Sequence, residues 1–466
     1  MKVTVVGSGY VGLVVAAGLA ELGHHVICID KDAEKIAQLR EGKVPIFERH
    51  LEDLVRRQER RLRFSKDNLK AAVRQSDAIF IAVGTPIAAN GKCDLSYVEE
   101  VVEEIADALG NVAFAHKLII EKSTVPVGTG EKIAKRLPNR VEVVSNPEFL
   151  REGSAVTDFL YPDRIVVGTN SGKALAMMRA LYRPLLNGSY ARRRDAVPCP
   201  ESGKSPTRMI ATTIESAEII KHASNAFLAM KISFINAISA VCELAGADVE
   251  DVARGMGTDS RIGPRFLRAG IGFGGSCFPK DLAAFRSVAE ELGIDFDLLA
   301  EVERINVDQR QRFLEKVRFA LGGHLKGKKV AALGISFKPG TDDVRQSPAL
   351  DIVRALIQEG CQVSAYDPAA ADSARKMMRG IESRMRFASD PYEAAKNADA
   401  VLILTDWNEF AMMDLERLRE AMRESVLIDG RNLFSPESMA ELGFTYISVG
   451  RPAVNVPARR ATGTAG

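Results

Sequence analysis

The chain begins Lys2-Val3-Thr4-Val5-Val6-Gly7-Ser8-Gly9-Tyr10-Val11-Gly12, and this run sets its architecture. A short apolar strand pattern leads directly into three glycines spaced Gly-x-Gly-x-x-Gly, and an apolar helical stretch follows to about Gly23. A second strand pattern, His25–Ile29, ends at Asp30. Strand, glycine turn, helix and strand in this order predict a βαβ unit, and therefore an α/β fold with a parallel sheet.

The glycines and the aspartate have separate tasks in binding a dinucleotide. The first glycine of such a turn bends the chain, the second admits a pyrophosphate, and the third lets the helix pack on the strand. Asp30 suits the ribose hydroxyls and would repel a 2′-phosphate, which favours NAD over NADP, although Lys31 weakens that preference. The alternative is a glycine-rich turn that binds nothing. We expect NAD to contact Gly7, Gly9, Tyr10, Val11, Gly12, Asp30 and Lys31.

The composition is that of a soluble globular protein. With 466 residues the chain is too long for one core, and two or three domains are expected. The 63 basic and 61 acidic residues give a net charge of +2, which does not favour nucleic acid or an anionic membrane as a partner. The six cysteines are scattered without a Cys-x-x-Cys pair, so neither a disulfide framework nor a metal site is indicated. We expect a cytoplasmic protein without a signal peptide or a membrane span.

Two of the later strand patterns end in polar residues. Residues 76–83 lead into Gly84-Thr85-Pro86, and Lys117–Glu121 leads into a loop that contains Thr124. Strand ends of this kind face the ligand crevice of a doubly wound sheet. Thr124 is therefore a candidate site residue, with a simple turn role as the alternative.

The strand Val141–Ser145 precedes the run Asn146-Pro-Glu-Phe-Leu-Arg-Glu-Gly153, which we predict to be a short helix. Asn146 is a suitable cap and Gly153 a suitable stop. Glu148 is either a general base or a complement to the helix dipole. Elsewhere, residues 48–69 are predicted to be mainly helical, and residues 189–208 to be an exposed loop that contributes nothing to the core.

A long helix is predicted from a capping box at Thr212 and Glu215 to about Leu244. At 1.5 Å per residue it spans about 50 Å, enough to join domains and to offer an apolar face to a partner subunit. Lys221 and Asn225 lie four residues apart, so their side chains project together. Lys221 is either an ordinary surface lysine or a group that acts on substrate.

The run Gly272-Phe-Gly-Gly-Ser-Cys-Phe-Pro-Lys-Asp281 brings one cysteine to the start of a helix. Pro279 lacks an N–H and marks the first turn, so Cys277 lies beside unpaired backbone N–H groups and the positive end of the helix dipole. Lys280 adds a positive charge, and Asp281 follows Cys277 by one turn. Such surroundings favour a thiolate nucleophile, and the glycines leave room for substrate. The alternative is a buried cysteine in a tight turn.

The chain then repeats its opening pattern. Residues 329–334 resemble the first strand and glycine, a helix follows from Ser347-Pro348, and Gln362–Tyr366 ends at Asp367. The glycine fingerprint is lost at residues 335–338, so a second dinucleotide is not expected there. Phe337, Lys338 and Arg431 could instead hold an aromatic base or phosphates.

These elements predict two Rossmann-like doubly wound parallel sheets joined by a long central helix. The predicted domains are residues 1–210, which bind NAD, 211–322, which carry the long helix and the cysteine loop, and 323–450, which bind a nucleotide sugar. Residues 451–466 are predicted to be a disordered tail.

Five motifs in order resemble those of the UDP-glucose/GDP-mannose dehydrogenase family. They are the glycine turn and the runs 122–129, 146–153, 218–225 and 272–281. The resemblance implies a four-electron, NAD-dependent oxidation of a nucleotide sugar at C6, through a covalent thiohemiacetal and thioester on Cys277. UDP-glucose is the expected substrate, with UDP-N-acetylhexosamines or GDP-mannose as alternatives within the family. A two-electron hydroxyacid dehydrogenase, for which Cys277 would be incidental, is the alternative outside it.

The resemblance also implies roles for individual residues. Those expected to act in catalysis are Cys277, Lys221, Asn225, Asp281, Glu148 and Thr124. Further residues expected near the cofactor are Thr85, Thr124, Glu152, Lys280 and Arg345. Those expected at the sugar nucleotide are Glu148, Phe149, Leu150, Lys221, Asn225, Arg261, Phe266, Gly274, Phe337, Lys338 and Arg431. Arg261 would reach the substrate of a neighbouring subunit, in a homodimer or larger homo-oligomer formed through the central helix.

Overall fold

The computed structural model describes residues 1–88, 92–110, 116–200, 207–380 and 384–456. They form two compact units, one made of Met1–Ser224 with Ala283–Ile294, the other of Asn225–Leu282 with the chain from Asp295 onward. Each unit contains a twisted sheet with helices packed against it.

The first unit is built on an eight-stranded sheet. Its strands are β1 (Lys2–Val6), β2 (His25–Ile29), β3 (Leu62–Ser65), β4 (Ala78–Ile81), β5 (Lys117–Glu121), β6 (Val141–Ser145), β7 (Arg164–Gly168) and β8 (Arg208–Thr212). Their order is β3-β2-β1-β4-β5-β6-β7-β8, and every neighbouring pair is parallel except β6 with β7. The order reverses between β1 and β4, and ligands of doubly wound sheets bind at such a point.

Helices cover both faces of this sheet. They are α1 (Tyr10–Glu21), α2 (Ala33–Arg40), α3 (Leu51–Arg57), α4 (Leu69–Gln75), α5 (Ser96–Leu109), α6 (Thr129–Arg136), α7 (Ala155–Leu160), α8 (Gly172–Leu181) and α9 (Arg183–Leu186). Helix α1 is buried on nearly every side, which explains its uniformly apolar sequence. It packs so closely on α7 that a Cβ at Gly18 would lie 2.2 Å from the Phe159 ring.

Four helices lie between the two sheets in the sequence. They are α10 (Ile214–Ala245), α11 (Val249–Gly257), α12 (Phe278–Glu291) and α13 (Asp297–Ala320). Helix α10 is long and apolar enough to cross a membrane by length and composition alone, a criterion that core helices of soluble proteins also meet. Its buried Ser233 and Asn236 hydrogen-bond Val302 and Gly270, so α10 packs within the protein. The helix is capped by Thr213, whose hydroxyl accepts the Ser216 N–H, and not by the predicted Thr212, which ends β8.

The second unit repeats the sheet order of the first. Its strands are β9 (Lys329–Leu333), β10 (Gln362–Tyr366), β11 (Met385–Phe387), β12 (Ala400–Ile403), β13 (Val426–Asp429) and β14 (Thr445–Ser448). They run β11-β10-β9-β12-β13-β14, all parallel. Its helices are α14 (Pro348–Gln358), α15 (Ala371–Met377), α16 (Pro391–Ala395), α17 (Asn408–Ala411), α18 (Leu415–Ala421) and α19 (Pro436–Glu441). Two doubly wound sheets and a long central helix confirm the predicted fold class.

The segment at residues 189–208 was predicted wrongly. Tyr190 and Val197 are buried in the core of the first unit, where the Tyr161 hydroxyl donates to the Val197 carbonyl at 2.6 Å. Arg193 donates to the Glu21 carbonyl at 2.8 Å, which fixes the segment to α1. The arginines and prolines of this segment suggested a solvated loop, but the segment also contains the buried Tyr190 and Val197. Residues 201–206 lie outside the described part of the chain.

Two further predictions need correction. Residues 48–69 contain helix α3 and strand β3, where only helical structure was expected. The predicted disordered tail starts too early, because Val454 exchanges two backbone hydrogen bonds with Tyr446, at 3.0 and 3.1 Å. The rest of that tail, residues 457–466, lies outside the described residues.

Candidate active site

The glycine turn after β1 has room for a dinucleotide at one position only. A Cβ at Gly7, whose φ is +102°, would lie 2.5 Å from the Ala82 carbonyl oxygen, and a Cβ at Gly12 would lie 2.0 Å from the Gly7 oxygen. These two glycines are required by the protein's own packing. A Cβ at Gly9 would meet nothing within 4 Å, so this position faces open space beside the start of α1. An open glycine at a helix N-terminus fits the pyrophosphate of NAD.

Asp30 lies at the end of β2 beside this turn. It accepts hydrogen bonds from the Ser8 N–H and hydroxyl, each at 2.7 Å, and from the Asp32 N–H at 3.0 Å. Burial alone would raise the pKa of Asp30, but these hydrogen bonds outweigh it and hold the pKa below its usual value. The carboxylate is therefore ionised and suited to accept hydrogen bonds from a ribose.

The lysine beside Asp30 is not the one that sequence reasoning selected. Lys31 pairs with Glu100 of α5. Lys35, on the first turns of α2, instead lies 3.6 Å from the Asp30 carboxylate. The sequence gave no indication of this pair, because Lys35 follows Asp30 by five residues and its position depends on where α2 begins.

A buried ion pair lies near the ends of β5 and β6. Lys221 of α10 donates to Glu148 at 2.8 Å, and both side chains are almost fully buried. Lys122 lies close by and donates to the Asn146 side chain at 3.2 Å. Burial lowers the pKa of Lys122 to about 7, against the opposing influence of Glu148. Sequence reasoning missed Lys122, since its burial is not visible in the sequence.

The run 146–153 is not a helix, contrary to the prediction; the next helix, α7, begins at Ala155. The Asn146 side chain does not cap a helix, because it accepts a hydrogen bond from Tyr182 at 2.8 Å and donates to the Val166 carbonyl at 2.7 Å. Glu148 accepts the Leu150 N–H at 2.6 Å. An irregular path stabilised by such side-chain hydrogen bonds replaces the helix, and it ends in a turn.

Other members of the predicted set lie on this same segment or on the loop after β5. The Arg164 guanidinium lies 3.7 Å from the centre of the Phe149 ring, and the Lys221 ammonium lies 5.5 Å from it. The Thr85 hydroxyl donates to the Thr124 carbonyl at 2.8 Å. Glu152 lies in the turn that ends this segment.

A carboxyl group that sequence reasoning overlooked connects this turn to the dinucleotide loop. The Gly153 N–H donates to the Tyr10 hydroxyl at 2.8 Å and to Glu48 at 2.7 Å, and the Tyr10 hydroxyl itself bonds Glu48. Burial raises the pKa of Glu48 to about 7. Through its hydrogen bonds to the Tyr10 hydroxyl and the Gly153 N–H, Glu48 connects the start of α1 to the 146–153 segment.

In the second unit, Cys277 lies directly before α12, as predicted. Its carbonyl accepts the Asp281 N–H at 2.8 Å, and the thiol sulfur is partly exposed, 3.7 Å from the Ser276 hydroxyl. The buried Asp281 carboxylate accepts from the Asn225 amide at 2.6 Å and pairs with Lys280 at 3.3 Å. Asp281, one turn after Cys277, therefore combines a hydrogen bond from Asn225 with an ion pair to Lys280.

The glycines before Cys277 are needed for the packing of the second unit. A Cβ at Gly272 would lie 2.5 Å from the Asn306 side-chain oxygen, and one at Gly274 would lie 2.1 Å from the Gln346 carbonyl. A Cβ at Gly275 would lie 2.7 Å from the Phe337 ring. A side chain at any of these three positions would therefore collide with the protein's own atoms.

The predicted nucleotide residues lie along the same part of the second unit. The Arg431 guanidinium donates to the Leu404 and Phe337 carbonyls at 2.8 and 3.4 Å, and burial lowers its pKa. The Lys338 ammonium lies 5.6 Å from the centre of the Phe337 ring. Two arginines are exposed and pair locally, Arg345 with Asp343 and Arg261 with Asp259. The Phe266 ring packs 6.3 Å from that of Phe278.

An NAD-type glycine turn with an ionised aspartate, together with a cysteine at a helix start, defines the class as an NAD-dependent dehydrogenase. Three family models match in order. They are the NAD binding, central and UDP binding domains of the UDP-glucose/GDP-mannose dehydrogenase family, at residues 1–186, 215–308 and 331–436. The chain belongs to the UDP-glucose/GDP-mannose dehydrogenase family.

Similar proteins cover nearly the whole chain. A UDP-glucose 6-dehydrogenase of Rhizobium meliloti (strain 1021) is 46% identical over 97% of this chain and 100% of its own length. The UDP-glucose 6-dehydrogenase TuaD of Bacillus subtilis (strain 168) is 45% identical over 97% and 94%. The solved structure of a UDP-glucose dehydrogenase from Pyrobaculum islandicum is 34% identical, covers 97% of this chain and 98% of that one, and superposes with a TM-score of 0.84.

Proposed function

We propose that this protein oxidises UDP-glucose at C6 to UDP-glucuronate in two successive two-electron steps that use NAD. The family assignment and the relatives named UDP-glucose 6-dehydrogenase support this substrate. The observation that carries the four-electron chemistry is the position of Cys277 at the start of α12, one turn from the Asn225–Asp281 hydrogen bond. A two-electron dehydrogenase would not require a nucleophile there.

In the first oxidation the C6 hydroxyl gives up its proton as C6 becomes an aldehyde. NAD, when bound at the glycine turn, supplies the electron acceptor for each oxidation. We assign Lys221 and Asn225 to the substrate oxygen, because an ammonium and an amide N–H both stabilise developing negative charge. Lys221 suits this task because its carbon chain is buried and its ammonium is held by Glu148.

The Cys277 thiolate then attacks the aldehyde carbon. A C–S bond forms, the carbonyl oxygen takes a proton, and the product is a thiohemiacetal. The helix N-terminus and Lys280 favour the thiolate. Oxidation of this adduct gives a thioester; water then adds to its carbon, the C–S bond breaks, and Cys277 leaves as the thiolate while the uronate is released. We assign Asp281 to proton transfer with an ordered water, and Glu148 and Thr124 to this hydrolysis.

The remaining residues bind the two ligands. We assign Phe337, Lys338 and Arg431 to the nucleotide, with Glu148, Phe149, Leu150, Phe266 and Gly274 at the sugar nucleotide. The residues assigned to NAD are Gly7, Gly9, Tyr10, Val11, Gly12, Asp30, Lys31, Thr85, Thr124, Glu152, Lys280 and Arg345. The ring of Phe337 suits an aromatic base, and the cations suit the diphosphate.

We further propose a homodimer through α10. Phe227, Phe234 and Val241 are exposed at intervals of seven residues on this helix, and Leu244 extends the same apolar face. A seven-residue repeat of apolar side chains is the pattern by which two helices pack together. A second copy of the chain would cover this face, and Arg261 would reach that copy's substrate. Phe234→Glu places a charge on this face and should halve the mass measured by light scattering, whereas Glu243→Gln should leave the mass unchanged. If the Phe234→Glu variant remained a dimer, the assignment would be contradicted.

A cytoplasmic location belongs to the same proposal. None of the six cysteines, all of which lie in the described residues, forms a disulfide, so the fold needs no oxidising compartment.

The reaction is tested by counting NADH per sugar for a panel of nucleotide sugars. Wild-type protein should release two molecules of NADH for each UDP-glucose consumed, and Cys277→Ala should form no acid. Cys93→Ala is the matched control, because Cys93 is also partly exposed. Normal uronate production by Cys277→Ala would contradict the mechanism, and a stoichiometry of one NADH would indicate a two-electron enzyme.

A further inference from the structure

Two buried glutamates of the first unit meet beneath the loop that carries Thr124. Glu121 ends β5 and Glu218 lies on the second turn of α10, and both are almost fully buried. A Cβ placed at Gly130 would lie 3.3 Å from Glu218 Oε1 and 3.7 Å from Glu121 Oε2, so the two carboxyl groups converge on one point. Both Glu121 oxygens are buried and receive no hydrogen bond from any donor group in the described residues.

Such a pair retains a proton. Burial raises the pKa of Glu121 well above its usual value, and the charge of Glu218 raises it further. Burial also raises the pKa of Glu218, but the Gly130 and Gly128 N–H groups and the hydrogen bond from Glu121 oppose that effect. These influences favour a proton on Glu121, whose O–H would then donate to the Glu218 carboxylate.

The carboxylate of Glu218 holds the loop between β5 and α6. Its two oxygens accept the Gly128 and Gly130 N–H groups at 2.7 and 2.8 Å. One turn further along α10, His222 Nε2 lies 2.8 Å from the Val125 carbonyl, to which it can donate. Thr124 therefore lies in a loop that α10 contacts at Val125 and Gly128, and α10 also contacts the first turn of α6 at Gly130.

The same turn of α10 also carries Lys221, which holds Glu148. We propose that Glu121 and Glu218 share one proton and, as an acid–carboxylate pair, position the Thr124 loop relative to Lys221 and Glu148 for thioester hydrolysis. This role rests on the proposed function, which assigns Thr124 and Glu148 to that step. Glu121 and Glu218 are positioning residues, since neither is assigned to substrate.

Only one protonation state serves this purpose. If both groups were ionised, two buried negative charges would repel each other and push Glu218 from the two N–H groups. If Glu218 were neutral, one of its oxygens would become a donor and oppose a backbone N–H. With Glu121 neutral and Glu218 charged, the Glu218 carboxylate can accept from all three donors, which are the Glu121 O–H and the N–H groups of Gly128 and Gly130.

Three glutamine variants separate these roles. Glu121→Gln replaces the acid by an amide that still donates to Glu218, so turnover should remain within about twofold of wild type. Glu218→Gln puts an amide NH₂ against a backbone N–H, and the steady-state rate of acid formation should fall about tenfold, the usual effect of losing a hydrogen bond to a buried charge. The rapid NADH burst that precedes hydrolysis should be unchanged, and the thioester should accumulate on Cys277, detectable by mass spectrometry. Glu215→Gln, on the preceding turn of α10, is the control and should behave as wild type.

Infrared spectroscopy tests the proton directly. The carbonyl-stretch band of a protonated carboxylic acid at neutral pH should be present in wild type and missing from the Glu121→Gln spectrum. An unchanged spectrum would overturn the proposal, as would Glu121→Gln activity as low as that of Glu218→Gln. A Glu218→Gln variant that loses burst and turnover equally would show a structural role only, and would also overturn it. Failure of the proposed function appears separately, as a wild-type stoichiometry other than two NADH, and leaves the infrared result standing.

Discussion

Replacing Gly9 by alanine separates the folding role of the glycine turn from its role in binding NAD. The added methyl group meets no atom within 4 Å. Gly9 has φ −67° and ψ −173°, an extended conformation that any residue adopts. The free protein should therefore accept alanine at this position without rearrangement.

Gly9→Ala should have opposite effects on the stability of the free protein and on its affinity for NAD. Alanine restricts the unfolded chain, so Gly9→Ala should stabilise the free protein by about 0.4–1 kcal/mol. In the complex, the methyl group would occupy the space where the pyrophosphate approaches the N–H groups of α1. Loss of one or two hydrogen bonds to a charged ligand costs about 1.5–3 kcal/mol, which weakens NAD binding by roughly 10- to 150-fold.

Gly12→Ala provides the matched control, because its Cβ would lie 2.0 Å from the Gly7 carbonyl oxygen. A Cβ does not move when a side chain changes rotamer, and the Gly7 oxygen belongs to the backbone. Gly12→Ala should therefore lower both the unfolding temperature and the NAD affinity. Calorimetric titration with NAD and thermal unfolding without it measure the two effects. A Gly9→Ala protein that binds NAD as wild type does, or that is as unstable as Gly12→Ala, would refute the reasoning.

Three further predictions concern stability. Tyr190→Ala should cost about 3–5 kcal/mol in urea unfolding because the ring is fully buried, whereas a solvated loop would give almost no change. Glu48 has a folded-state pKa of about 7, so its stabilising contribution is complete below its unfolded pKa near 4.5 and is lost as pH rises to 7. Relative to wild type, the free energy of unfolding of Glu48→Gln should therefore increase by up to about 3 kcal/mol across that pH range. A difference between the two proteins that does not change with pH would contradict the assignment. Lys221→Met removes the lysine partner of the buried Glu148 carboxylate and should lower the free energy of unfolding by about 3–5 kcal/mol. Adding Glu148→Gln to this variant should recover part of the loss. Strictly additive losses would show that the two side chains do not interact.

The fold could be predicted from the sequence because its elements are strongly patterned. Strands β5, β6 and β10 were predicted at their observed limits. Apolar residues dominate β5 and β6, whereas β10 was found because it repeats the position of β2 and ends before an aspartate. Strand β3 was missed because Leu62 and Phe64 alternate with charged residues inside a basic stretch. The pattern of period two was present, but four residues are too few to outweigh the surrounding helical composition.

The candidate site was predictable where a role follows from local geometry. Cys277 lies directly before α12 and Asp281 lies on its first turn, and Pro279 marked that turn in the sequence. The helix expected at residues 146–153 failed because the caps that would begin it were used elsewhere: Asn146 bonds Tyr182 and Val166. Tertiary hydrogen bonds outweigh a local preference of about 1 kcal/mol. Glu121 and Glu218 carried no sequence signal, since their burial depends on the packing of α10 beside β5.

The two sheets show why one repeat binds a dinucleotide and the other is not expected to. Each keeps a turning glycine, Gly7 and Gly334, and each keeps an aspartate at the end of its second strand. Among the described residues, Asp367 accepts from six groups, which are the N–H groups of Ile335, Ser336, Ala369 and Ala370, the Ser336 hydroxyl and the Trp407 indole. A carboxylate offers about four acceptor positions, so Asp367 is saturated by its own protein. Asp30 accepts from Ser8 and Asp32 and retains capacity for a ribose. The aspartate of the second repeat stabilises its turn, whereas that of the first remains able to bind a ligand.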